Sequence, residues 1–255
     1  MYISNNFLKL FYNIMLSSMP LLLNNPINKN ILYSPFIVEP YSTYVNYKLN
    51  EEQFNIINNN LKKNENFEML PTPILDKSKK DYFLSINIYN CTSPIFDYIN
   101  NDFSTRCEIN TYVINKKDKL KGTLIMDYVS NTLSLDPDNL FKKKGNIKFK
   151  RSNNKIMGEA NNNKFNLKFN FDYLKNTTKN RLSSKLIRYT DFIYYNCGLY
   201  DKLFYDSSLI KNNIIKCNDN NVEFKFMNIE FNTVDSVFFF ENKINFVGGL
   251  WKNIF

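Results

Sequence analysis

Hydrophobic and polar residues alternate along much of the middle of this chain, as they do in β-strands that have one buried face. The clearest alternating run is Asp81 to Tyr89, with the sequence D-Y-F-L-S-I-N-I-Y. Similar strand-like runs occupy residues 105–115, 120–128, 146–151, 155–160 and 164–173, with short connections between them. Because consecutive strands joined by short turns pair in antiparallel fashion, the pattern predicts a mostly antiparallel sheet.

A helical period replaces this alternation at residues 51–61, where the apolar residues would share one face of a short helix. No linker rich in Pro, Gly or Ser and no change in composition divides the chain. We therefore predict an α+β fold that is mostly antiparallel β, with one large curved or barrel-like sheet and a few peripheral helices. Residues 1–30 are expected to form an N-terminal extension, and residues 31–255 a single β-rich domain.

Residues 7–23 are the only stretch that resembles a targeting sequence, with Lys9 ahead of a short apolar run that Pro20 interrupts. Three interpretations remain open: a signal, a membrane anchor, and an amphipathic helix that packs on the domain. The stretch is too short and too polar to span a bilayer, and no later segment is apolar for long enough. We therefore expect no transmembrane segment.

The formal net charge of +9 would suit an anionic partner such as nucleic acid. However, only four residues are Arg, which is the preferred residue for bidentate phosphate contacts. The abundance of Asn, Lys, Tyr, Phe and Ile also matches the codons of an AT-rich genome, such as that of a parasite or a large virus. Since this bias raises the charge of the whole chain, we do not expect a nucleic-acid partner, and we leave open whether the protein forms oligomers.

Histidine is absent, which excludes a Ser-His-Asp triad and any His-ligated metal within this chain. The four cysteines, Cys91, Cys107, Cys197 and Cys217, include no C-x-x-C pair, so their spacing does not indicate a zinc site. We expect them to be free thiols in a reducing compartment. The corresponding prediction is a cytoplasmic protein with no metal and no other cofactor.

Three consecutive lysines, Lys142 to Lys144, follow two of the predicted strands and carry the strongest chemical signal in the chain. Lysine forms Schiff bases once its ammonium pKa is lowered, and both burial and a neighbouring ammonium group lower that pKa. The alternative is that the same lysines form a solvated basic turn.

The order of these features resembles the acetoacetate decarboxylase-like superfamily and is closest in pattern to its YqjF-type branch. The matching segments are Leu70-Pro71, the strand at 81–89, E-I-N-T-Y-V at 108–113, K-G-T-L-I-M-D at 121–127, F-K-K-K at 141–144 and the aromatic-rich stretch 181–200. The resemblance covers about residues 40–205. The Gly-x-Pro that precedes the lysines in the decarboxylases is missing, and Asn110 stands where the YqjF-type pattern has an Arg.

The resemblance implies a site as well as a fold. Its residues would be Lys143, Lys144 and Glu108 for catalysis, and Arg106, Arg188 and Tyr112 for ligand binding. The function we expect is that of an acetoacetate decarboxylase-like protein that binds a small apolar or carboxylate ligand inside a β-barrel. The alternatives are a Schiff-base lysine decarboxylase of a β-keto acid, and a non-enzymatic structural or interaction protein of a parasite or large virus. Whether the protein is an enzyme stays open.

Overall fold

The computed structural model describes most of the β-rich part of the chain. The described residues are 31–62, 66–73, 80–92, 104–117, 119–131, 145–152, 154–172, 177–181, 193–197, 200–205, 213–217, 221–240 and 243–251. The strands are β1 (Ile31–Val38), β2 (Thr43–Lys48), β3 (Phe67–Met69), β4 (Phe83–Thr92), β5 (Ser104–Asn115), β6 (Lys121–Ser130), β7 (Asn146–Ser152), β8 (Lys155–Asn161), β9 (Phe165–Asp172), β10 (Thr177–Arg181), β11 (Ile193–Cys197), β12 (Tyr200–Tyr205), β13 (Asn213–Cys217), β14 (Val222–Phe226), β15 (Ile229–Glu230), β16 (Ser236–Phe240) and β17 (Ile244–Trp251).

These strands form two sheets, which we call the large sheet and the small sheet. The large sheet has the strand order β10-β13-β16-β2-β4-β1-β17-β12-β11-β6-β5-β3, with a further pairing between β4 and β5. The small sheet has the order β15-β14-β9-β8-β7. Every pairing is antiparallel except that of β11 with β6. The prediction of a mostly antiparallel α+β fold is therefore confirmed.

The prediction named one large curved or barrel-like sheet, and the described strands divide between two sheets. The strand order of the large sheet runs from β10 at one edge to β3 at the other, so the described part has edge strands. Strands β7 to β9 were expected to continue the same sheet, but they pair only with one another and with β14. The small sheet instead packs against one face of the large sheet.

The core lies between the two sheets. Every second residue of β9 from Phe165 to Phe171 is buried, and the residues between them are exposed. Phe171 contacts Phe239 of β16 edge to face, with ring centroids 5.9 Å apart. Tyr47 of β2 stacks on Phe224 of β14 at 5.3 Å. Alternation therefore turns one face of the small sheet into an apolar layer that packs on the large sheet.

One helix lies in the described part of the chain, α1 (Glu51–Lys62), close to the predicted 51–61. Asn50 caps its N-terminus, because its side-chain oxygen accepts a hydrogen bond from the Gln53 amide at 2.9 Å. The Gln53 side chain accepts one in return from the Asn50 amide at 3.1 Å. This reciprocal pair satisfies two amides that a helix end leaves open. No helix in the described ranges is long and apolar enough to cross a membrane.

Candidate functional site

Strands β2, β4 and β5 have two chemically different faces. The face toward the small sheet is apolar and includes Val45, Ile86 and Ile109, all fully buried. The opposite face, which we call the polar face, carries Ser42, Tyr44, Asn46, Ser85, Asn87, Tyr89, Arg106, Glu108, Asn110 and Tyr112. Most of these polar side chains are also buried. A buried polar surface on the side away from the main core is the most unusual feature of the described structure.

Strand β6 joins this face through a β-bulge. Ile109 pairs with Asp127 but Asn110 pairs with Ile125, so Met126 is an extra residue in β6. Beyond the extra residue, each side chain of β6 points to the opposite face from the one that unbroken alternation would give it. Tyr128 therefore lies opposite Glu108 on the polar face. The bulge therefore delivers an aromatic ring to the centre of this face.

The centre of the polar face is a buried ion pair. Arg106 Nε donates to Glu108 Oε1 at 2.5 Å, and both side chains are less than one-tenth exposed. The Tyr89 hydroxyl donates to the same carboxylate oxygen at 3.0 Å. The Arg106 guanidinium also lies over the Tyr128 ring, 4.1 Å from its centroid. Three strands therefore hold one cation and one anion in a fixed arrangement.

Burial and charge act in opposite directions on Arg106. Burial by itself lowers its pKa, but the Glu108 carboxylate and the nearby Tyr89 and Tyr128 raise it, and the net shift is upward. The guanidinium thus stays charged inside the protein. Burial raises the pKa of Tyr44, and the negative charge of Glu108 raises it further. The polar face therefore keeps Arg106 charged and Tyr44 neutral.

Beside the ion pair, hydrogen bonds link most other members of the polar face. Ser85 donates to Asn46 Oδ1 at 2.6 Å, and its hydroxyl is also bonded to that of Tyr112 at 3.1 Å. Asn87 donates to the Tyr44 hydroxyl at 3.1 Å. These contacts satisfy buried groups that would otherwise destabilise the fold.

Two atoms of this face depart from that pattern. Arg106 Nη1 and Asn110 Oδ1 are buried, and neither has a hydrogen-bond partner in the described structure. The residues themselves are only 6% and 3% exposed. Leaving a buried polar atom without a partner costs about 1–3 kcal/mol, and more for a charged group. An unpartnered donor, Arg106 Nη1, and an unpartnered acceptor, Asn110 Oδ1, therefore belong to the same strand, in residues on either side of Glu108.

The structure brings together three of the six predicted site residues. Arg106, Glu108 and Tyr112 lie on the same face of β5 and are part of the buried polar layer. The other three, Lys143, Lys144 and Arg188, lie outside the described residues. Sequence reasoning missed Tyr89, Tyr128 and Asn110. The signal for Tyr89 was present, since β4 reads Ser85, Asn87, Tyr89 at every second position.

Asp127 is a nearby acid that belongs to a different contact. Its carboxylate accepts hydrogen bonds from the Tyr128 amide at 2.8 Å and from Asn162 Nδ2 at 3.0 Å. It therefore ties β6 to the turn between β8 and β9, on the side of the small sheet. Among the described residues, no group of acidic and cysteine side chains could hold a metal ion. Cys91 and Cys107 are both buried, and burial raises the pKa of the Cys107 thiol.

No family model matches the chain, and no curated protein matches it in sequence. Solved structures do resemble it. The enduracididine biosynthesis enzyme MppR with bound HEPES aligns over 84% of this chain and 86% of its own, with a TM-score of 0.51 and 9% identity. An acetoacetate decarboxylase from Legionella pneumophila aligns over 91% and 94%, with a TM-score of 0.47 and 8% identity. An acetoacetate decarboxylase-like enzyme from Sphingomonas wittichii aligns over 85% and 92%, with a TM-score of 0.46 and 7% identity.

The chain has the acetoacetate decarboxylase-like fold. The resemblance predicted from the order of strands and motifs is thus confirmed for the fold alone, and the matches show neither membership of the superfamily nor its YqjF-type branch. At identities of 7–9% the likeness carries over no residue and no reaction, because one fold hosts many functions. The function has to be argued from the polar face itself.

Proposed function

We propose that this acetoacetate decarboxylase-like protein binds a small carboxylate on the polar face, with Arg106 as its anchor. The observation that carries the proposal is the unpartnered Nη1 of a guanidinium that is 6% exposed. A buried, charged donor without a partner is rare in folded proteins, and an absent ligand is a common reason for one.

The geometry of the ion pair supports a carboxylate rather than a neutral ligand. Glu108 accepts the hydrogen bond of Arg106 Nε and so orients the guanidinium. The Tyr128 ring packs on the face of the guanidinium. A planar guanidinium that is held in this way can offer a further N–H edge to a planar carboxylate. Because the site is buried, such a charge-assisted bond would be stronger than the same bond in water.

A structural relative supports the same chemical class. MppR, at a TM-score of 0.51, has been solved with the condensation product of pyruvate and imidazole 4-carboxaldehyde. Pyruvate is a small carboxylate. The relative therefore offers a precedent for a ligand of this size in the same fold.

The Schiff-base alternative rests on Lys143 and Lys144, outside the described residues, and nothing in the described site requires it. We therefore keep the lysine nucleophile as a prediction with its own test and propose ligand binding as the function. Expectations about an interior barrel cavity likewise stay predictions.

Isothermal titration of the purified chain with short carboxylates and their matching amides tests the proposal. We expect pentanoate to bind and pentanamide not to bind. Changing Arg106 to Met should weaken pentanoate binding about 10- to 100-fold, since charged hydrogen bonds contribute about 1.5–3 kcal/mol. Arg151→Met is the matched control, because Arg151 is exposed on β7 and stacks on Tyr41. Equal binding of acid and amide, or an equal effect of the two Arg variants, would refute the proposal.

A further inference from the structure

Asn110 is the exception among the asparagines of the polar face. Asn46 and Asn87 each use their side chains in hydrogen bonds to neighbouring strands. Asn110 Oδ1 is buried without a partner in the described part of the chain, in a residue that is only 3% exposed. It follows Glu108 by two positions on β5, so both side chains point to the same face.

We infer that Asn110 determines ligand specificity by accepting a hydrogen bond from a hydroxyl group of the ligand. The inference rests on the proposed function, in which Arg106 holds the carboxylate of the same molecule. The ligand class is then a short hydroxy acid, with the hydroxyl group toward Asn110 and the acid toward Arg106. An aliphatic acid of equal length would leave Oδ1 without a partner.

The spacing of the two contacts limits the length of the ligand. The Arg106 side chain runs toward Glu108, since its Nε bonds to that carboxylate. The guanidinium therefore lies near position 108, and alternate residues of a strand are about 7 Å apart. A chain of about four carbons, such as 4-hydroxybutanoate, fits this separation.

The bulge in β6 helps to explain why Asn110 Oδ1 has no hydrogen-bond partner on the neighbouring strands. Asn110 pairs with Ile125, whose apolar side chain offers it no hydrogen bond, and the extra residue Met126 shifts the next polar group of β6 away. The cross-strand partner on the other side is Ser85, whose hydroxyl donates to Asn46. Neither neighbouring strand therefore supplies a donor for Oδ1.

Titration with 4-hydroxybutanoate and pentanoate, which differ by a hydroxyl in place of a methyl group, tests the inference. We expect the unmodified protein to prefer 4-hydroxybutanoate about 3- to 10-fold, the usual effect of one neutral hydrogen bond. Asn110→Leu should reverse this preference and should raise the Tm of the ligand-free protein, because it removes a buried amide oxygen that has no partner. Asn110→Ala is the second variant in case leucine does not fit, and it should abolish the preference.

The outcomes separate the inference from the proposed function. If the unmodified protein binds both acids equally, or if Asn110→Leu and Asn110→Ala both keep the preference, the inference is overturned while Arg106-dependent binding stands. If neither acid binds, both fail together. If the unmodified protein prefers the hydroxy acid and the Asn110 variants do not, the inference is supported.

Discussion

Breaking the Arg106–Glu108 pair from one side should destabilise the protein far more than removing both partners. Arg106→Met leaves the buried Glu108 carboxylate without its cation. Glu108→Met leaves the guanidinium buried and uncompensated. Each single change should lower the free energy of unfolding by about 3–5 kcal/mol, the usual penalty of an orphaned buried charge. The double variant should lie near the unmodified protein or be more stable by about 1–4 kcal/mol.

The magnitude follows from the desolvation of the pair. The two side chains are 8% and 7% exposed, so water cannot replace a lost partner. The coupling energy from the double-mutant cycle should therefore be at least about 6 kcal/mol, which is the two smallest single penalties added together. Urea unfolding followed by circular dichroism measures it, provided that the slope with denaturant stays the same across the four proteins.

An exposed pair on the small sheet provides the control. Lys148 and Glu159 lie 4.0 Å apart with side chains 76% and 52% exposed, so the corresponding Met variants should couple by less than about 1 kcal/mol. If the Arg106–Glu108 double variant is as unstable as either single variant, the loss of stability does not come from leaving one buried charge without its partner. Equal coupling in the two pairs would refute the same reasoning.

Three further predictions follow, two from other parts of the structure and one from the sequence. Tyr47→Phe should stabilise the protein by about 1 kcal/mol in urea unfolding, because the buried Tyr47 hydroxyl has no partner in the described structure. Burial raises the pKa of Tyr47, so stability should fall as pH rises above about 10, where the unfolded tyrosine ionises, and Tyr47→Phe should reduce that fall in alkaline melts. Gly158→Ala should cost about 1–3 kcal/mol in the same assay, since its methyl group would lie 2.3 Å from the Phe169 ring, and an unchanged midpoint would contradict this packing. Borohydride with a β-keto acid should leave an adduct on Lys143 or Lys144 if the protein forms a Schiff base, and mass spectrometry without such an adduct would end that hypothesis.

Alternation was enough to predict most strands of the described core. The strands predicted at 105–115 and 155–160 are observed as Ser104–Asn115 and Lys155–Asn161, within one residue at each end. Each has a polar and an apolar face, so its pattern carries the signal directly. The helix at 51–61 was equally accessible, because Asn50 and Gln53 form a recognisable capping pair.

What could not be predicted depends on contacts that are distant in sequence. The run 222–231 reads as one strand, but Met227 and Asn228 adopt positive φ values of 53° and 66° and divide it into β14 and β15. Methionine rarely occupies that region, so its sequence gives no turn signal. The division of the strands into two sheets could not be predicted either, since alternation identifies a buried face but not the surface that covers it.

The site shows the same division between local and distant information. The spacing of Arg106 and Glu108 by two residues predicts that they share a face of β5. The position of Tyr128 opposite Glu108 depends on the bulge at Met126, which no local pattern in K-G-T-L-I-M-D-Y-V indicates. Arg106, Glu108 and Tyr112 therefore lie on one face of β5 as their spacing predicts, while the geometry that makes this face a candidate site required the structure. Their roles stay predictions, as do those of Lys143, Lys144 and Arg188.

The arrangement of the polar face also bears on whether the protein is only a structural component. The hydrogen bonds from Ser85 to Asn46 and from Asn87 to Tyr44 would serve specificity of folding in any protein. Arg106 Nη1 and Asn110 Oδ1 have no hydrogen-bond partner in the described structure, so these two atoms do not stabilise the fold. Their burial without a partner destabilises the ligand-free protein. A purely structural protein would gain stability by replacing Asn110, whereas a binding protein would lose a ligand contact. Stability and binding should therefore change in opposite directions at Asn110, and that opposition is the property that separates the two functions.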